Sequence, residues 1–183
     1  MQITKVVVSV AVLGSVLLGG SPAFAATAPG APAGGPVKLF ATPSDGLHAT
    51  ILMTGAIGDY GNALTIDKNG TPDPNGNYVK VTLQKGGFEI NSTTLNAKAN
   101  KAQPTFDTAT CSAALYVAGP LPLSNGTGLY SGIAGTLTVS ETAAFILPRY
   151  TGGKNKGECN TSNSAQPVKQ YASIIGTGTV SFS

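Results

Sequence analysis

Histidine and arginine are almost missing from this sequence: His48 and Arg149 are the only examples of each, there is no tryptophan, and 10% of the 183 residues are charged. A lone histidine supplies no imidazole cluster for a zinc site. It also leaves a hydrolytic triad without a base, because no Ser or Cys stands in a nucleophile elbow. The formal net charge is +3 with no basic cluster, which excludes an electrostatic footprint for nucleic acid or for an anionic membrane surface. Apart from the N-terminus, no apolar run approaches the ~20 residues needed to span a bilayer, so no integral membrane association is expected. A phosphate-binding loop is absent too. Gly126, Gly128 and Gly132 are spaced G-x-G-x-x-x-G, one residue longer than the dinucleotide fingerprint, no Walker lysine follows, and the next stretch, TLTVSETAAFIL, alternates like a strand rather than a helix. These glycines read as turn and corner residues.

What is present begins with a leader. Lys5, the apolar run Val6 to Leu18, Pro22 and the small-x-small ending Ala23-Phe24-Ala25 have the layout of a secretory signal peptide, so residues 1–25 are expected to be cleaved near Ala25 and the protein exported. Residues 26–45 are rich in Pro, Ala and Gly and read as a flexible linker. Residues 46–183 then form one domain, with folding expected to start near Leu47.

Cys111 and Cys159 are the only cysteines, and an even pair in an exported chain reads as a disulfide. Closing that loop is worth roughly 4 kcal/mol on the chain-entropy model. The alternative, a metal-binding pair, lacks histidine partners.

Hydrophobic residues recur with period two. In NYVKVTLQK, Val79, Val81 and Leu83 alternate with Tyr78, Lys80, Thr82 and Gln84, the pattern of a strand with one wet face. The same rule predicts strands near 47–57, 62–66, 87–96, 106–118, 135–147 and 168–183, the last able to bend at Gly176 and Gly178, with a possible helical turn only around Thr93 to Lys101. Seven or eight strands separated by Gly, Asn and Pro predict an all-β protein. Glycines inside long strands favour a small closed or nearly closed antiparallel barrel of about eight strands, with one disulfide, over a sandwich.

Alternation singles out Glu141. On the strand after Gly135, Leu137, Val139, Ala143, Phe145 and Leu147 share its face, so the carboxyl is expected among core residues. Enclosure would raise its pKa and make it a general acid, a general base or a ligand anchor; a strand shift, a bulge or a place near the barrel mouth would return it to water. Arg149 stands eight strand residues away, more than about 25 Å, too far to pair with Glu141 along one strand. Its alternatives are an anionic ligand at the rim or a structural ion pair. Tyr116, Tyr130, Tyr171 and Phe145 are either core fillers or lumen aromatics that stack on an apolar ligand. DKNGTPDPNGN, residues 67–77, is rich in oxygen ligands but lacks the Gly and Glu positions of a calcium loop, and Asn-Gly and Pro-Asp favour a hairpin connection. His48 falls with Thr50 and Thr54 on the outer face. Asn69, Asn91, Asn125 and Asn160 each begin an N-x-S/T sequon, which matters only in a glycosylating host.

The run Gly126, Thr127, Gly128, Tyr130, Gly132, Ile133 and Gly135, together with the cysteine pair and the all-β layout, resembles small secreted bacterial proteins of the allene oxide cyclase barrel-like group, related in architecture to plant dirigent proteins. The resemblance spans residues 45–183, with one specific motif. It implies a barrel with an apolar cavity, chemistry without a cofactor where there is chemistry, and cyclisation or the steering of radical coupling as the activities found in such barrels. No catalytic residue of those enzymes maps onto this chain. Three functions are therefore expected in order: an exported barrel that binds a small, largely apolar ligand in its lumen without covalent chemistry; a cofactor-free cyclase or isomerase with Glu141 as acid or base and a lumen tyrosine assisting; and a structural or surface-interaction protein. No metal is required by any of them.

Overall fold

The computed structural model describes residues 33–162 and 164–183. The expected leader, with its cleavage position, and the first part of the expected linker lie outside these residues. Nine strands and one helix follow: β1 Gly35–Pro43, β2 His48–Gly55, β3 Asp59–Ile66, β4 Tyr78–Leu83, β5 Gly86–Asn91, α1 Thr93–Ala99, β6 Thr105–Asp107, β7 Ser112–Gly128, β8 Ala134–Ile146 and β9 Lys169–Ser181. Every pairing is antiparallel. The sheet runs β5-β4-β3-β2-β1-β9-β8-β7, and a further pairing of β5 with β7 closes it into an eight-stranded barrel, with β6 attached to the outer end of β7.

Three boundaries differ from those expected. The barrel starts at Gly35, not near Leu47, because β1 lies inside the stretch read as linker. Its Val37, Leu39 and Ala41 are buried and Lys38, Phe40 and Thr42 face out, a period-two pattern obscured by the prolines at either end. The expected strand at 87–96 stops at Asn91 and α1 takes over. The expected strand at 106–118 divides at the turn before Cys111, and β7 then continues through PLPL to Gly128.

Two prolines inside β7 need explanation, since proline cannot donate to a ladder. Pro120 and Pro122 pair with Thr138 and Thr136 of β8, while the other edge of β7 meets β6 only at Ser112–Ala114 and β5 only from Leu123 onward. Between those contacts no strand asks for a donor. Helix α1 covers the gap instead: Leu95 packs beside Gly119, and Lys98 Nζ donates to Ala118 O at 3.0 Å.

The run Gly126 to Gly135 forms the β7–β8 turn. Gly128 and Gly132 have φ of 61° and 71°, and a Cβ on Gly126 would collide with the Tyr130 carbonyl. β9 runs unbroken through Gly176. A side chain there would press on Val139 and Leu39, so its absence lets those residues close over the lumen wall.

The disulfide between Cys111 and Cys159 ties the turn before β7 to the loop between β8 and β9, with a Cα–Cα distance of 5.4 Å. β9 pairs with β1 only up to Ile174, whereas its pairing with β8 continues to Lys169. The ends of β7, β8 and β9 therefore project beyond the barrel rim, and the disulfide clamps that projection.

Candidate functional site

The inward side chains change size along the barrel axis. At the end carrying the β2–β3, β4–β5 and β7–β8 turns, Met53, Phe88, Tyr130, Leu137 and Val180 are each no more than 2% exposed and fill the interior. Phe88 and Tyr130 meet edge to face, with centroids 6.1 Å apart. Toward the other end the inward positions of β1, β2 and β3 carry Ala41, Ala49 and Ala63, and the last two are direct cross-strand partners. Small residues facing one another leave space. The result is a cavity of about 300 Å³, walled by Leu39, Ile51, Ile90, Leu121 and Ile174 and roofed in part by Leu95 of α1. That volume is at the lower limit for small-molecule sites.

Glu141 projects into this cavity from the middle of β8, between its cross-strand partners Val117 and Ile174. It is half-buried, and burial alone pushes its pKa above the ordinary carboxylate range: no charge or hydrogen bond from the described residues offsets the desolvation. At the rim, His48 Nδ1 lies 3.0 Å from Asp45 Oδ2, and Asn96 Nδ2 donates to Gly76 O and to Asn77 Oδ1, both at 3.1 Å, fastening α1 to the β3–β4 loop.

The other candidates do not gather around Glu141. Tyr116 points outward and is 64% exposed, because its position in β7 has the opposite parity to Val117. Tyr130 is inside but belongs to the filled end, where its hydroxyl donates to Asp59 Oδ2 at 2.7 Å. Phe145 has the inward parity of Glu141, yet it sits on the projecting end of β8, beyond the last β1–β9 pair, and does not line the cavity. Arg149 is exposed and donates to Gly157 O at 2.8 Å and Ala109 O at 2.6 Å, bracing the two loops that the disulfide joins. Tyr171 is exposed on the outer face.

Sequence reasoning overlooked the alanines, and it found the helical turn of α1 at Thr93 without its place over the cavity. Ala at alternate inward positions of neighbouring strands was a readable sign of a hollow, but only if their register was known. The 67–77 segment is a hairpin connection: Asp67 Oδ1 accepts the amides of Asn69 and Thr71, and Asp73 Oδ1 accepts that of Asn75.

Asp59 is the buried counterpart of Glu141 and behaves in the opposite way. It is 5% exposed, and burial alone would raise its pKa, but the Tyr130 hydroxyl and the amides of Lys85 (3.0 Å) and Tyr60 (2.8 Å) outweigh that and hold the carboxyl below its usual range. The Tyr130 phenol is pushed up, first by its own burial and then by the Asp59 carboxylate. One buried acid is thus fully partnered and structural, while the other faces open space.

Outside the barrel, Tyr60, Leu52, Phe40 and Ile175 are successive cross-strand partners over β3, β2, β1 and β9, each between 40% and 60% exposed. They form one apolar row.

Compared with known proteins, the chain matches no family model, no curated protein and no solved structure. Its architecture rests on its own strand pairing.

Proposed function

We propose that the protein is an exported β-barrel that holds one small, largely apolar ligand in the open half of its lumen without covalent chemistry. The observation that carries this reading is the apolar-walled cavity above a packed floor. A barrel of eight strands has an interior that side chains either just fill or leave open for one ligand, and here they do each in one half. The leader-like N-terminus supports export, and a disulfide accords with an oxidising compartment. The motif at Gly126 to Gly135 supports kinship with the allene oxide cyclase barrel-like group.

Native mass spectrometry of the mature protein from its own culture supernatant tests the reading. A stoichiometric apolar adduct is expected. A bare protein mass that does not change after soaking in lipid extracts would overturn it.

Two other readings each have one observation in their favour. Unpartnered Glu141 in the cavity suits an acid or base for a cofactor-free cyclase or isomerase, although neither Tyr116 nor Tyr130 reaches the cavity to assist. Loss of turnover in a folded Glu141→Gln variant is the result that reading requires. The outer apolar row suits a surface-interaction protein, and self-association through that row would make the sedimentation coefficient rise with concentration and stop rising in Leu52→Ser/Ile175→Ser.

A further inference from the structure

Carboxyls outnumber basic groups around the cavity. Among its lining residues the titratable groups are Glu141, Asp45 and His48, and no lysine or arginine takes part, although the chain as a whole carries a net positive charge. His48 sits at the rim against Asp45, which leaves Glu141 as the one titratable group elsewhere in the described wall, whose other polar side chains, Thr65, Ser92 and Asn96, are uncharged. Its cross-strand neighbours are apolar, Val117 from β7 and Ile174 from β9, and the wall around it adds Leu39 and Ala41 from β1 and Leu95 from α1. An ionised carboxyl in such a place has no counter-charge among the described residues, and a ligand that supplies one removes an unfavourable state of the empty protein. A ligand bearing a carboxylate would add a second like charge to the same apolar space.

We propose that the lumen selects a cationic amphiphile, an aliphatic amine whose ammonium pairs with Glu141 while its apolar body lies against Leu39, Ile51 and Leu121. The inference rests on the lumen-binding reading above and gives it a ligand class. At close packing, a cavity of this size takes about ten non-hydrogen atoms, which sets the length of the tail.

Titration calorimetry with octylamine, octanol and octanoate tests the proposal, because the three differ in headgroup charge and hardly in size. Methyl NMR of Leu39, Ile51 and Leu121 reports whether each compound enters the lumen. Octylamine is expected to bind about tenfold or more tightly than octanol, with octanoate weakest. Glu141→Gln, which keeps the shape and removes the charge, is expected to abolish the amine's advantage over octanol. Entry of all three with equal affinity, or with octanoate tightest, would overturn the amine selection while lumen binding stood. No methyl shift with any of them would overturn both. The wild-type series alone decides the question even if the variant does not fold.

Discussion

Replacing Tyr130 by Phe removes one oxygen from the packed end of the barrel and isolates what that oxygen does. The ring contacts with Phe88 and Phe182 remain, so no cavity is expected beyond the volume of a hydroxyl. The loss is the 2.7 Å hydrogen bond to Asp59, a carboxylate only 5% exposed. Hydrogen bonds to charged acceptors contribute about 1.5–3 kcal/mol. Asp59 keeps the amides of Lys85 and Tyr60, so it is weakened rather than orphaned, and about 2 kcal/mol is the expected cost. For a domain of this length that corresponds to a fall in Tm of roughly 4–8 °C. The sign of the pH dependence follows from the lowered pKa of Asp59. Its contribution is complete above the unfolded-state value near 4 and disappears as pH falls through the lower folded-state value. In the variant the folded-state value moves up, so less stability is lost on acidification, the loss is complete at higher pH, and the two proteins converge once both carboxyls are protonated. Urea unfolding from pH 7 to pH 2.5 measures this directly. A loss under about 0.5 kcal/mol at pH 7, or a gap that widens on acidification, would refute the assignment of Tyr130 as the partner that keeps Asp59 ionised.

Glu141→Gln is expected to stabilise the protein at pH 7, because a carboxyl whose folded-state pKa is raised makes the native state bind more protons and lose stability as pH rises from the unfolded-state value through the folded one; equal pH–stability curves for the two proteins would contradict this. Ala63→Leu places a larger side chain in the hollow at its cross-strand contact with Ala49, so ligand binding should weaken about tenfold or more without loss of fold, as read by calorimetry and circular dichroism. Replacing Cys111 and Cys159 together by Ser should cost about 2–4 kcal/mol, and hydrogen exchange should speed up first in the projecting ends of β7, β8 and β9 that the bond clamps.

Alternation within single strands was legible in the sequence wherever the strand was regular. Val79, Val81 and Leu83 face inward as expected, and so does Glu141, because parity along one uninterrupted strand requires no knowledge of its neighbours. Proline misled in two places. It disguised β1 as linker and shortened β7, since a proline is excluded from a strand only where the adjacent edge is paired, and that edge is defined by other strands. Alternation within the expected strand 106–118 already sets Tyr116 opposite Val117, so its outward face was legible in the sequence.

By itself, the sequence determined the fold class, the disulfide and the strand faces, all properties that follow from local periodicity, turn residues and a count of two cysteines. The barrel's closure through β5 and β7, the facing of Ala49 and Ala63, the partnering of Asp59 by Tyr130 over 71 residues, and the solitude of Glu141 were decided only by tertiary structure. Whether a carboxyl is held or left waiting depends on which groups the register brings within about 3 Å, and register is a relation between strands that no single strand encodes.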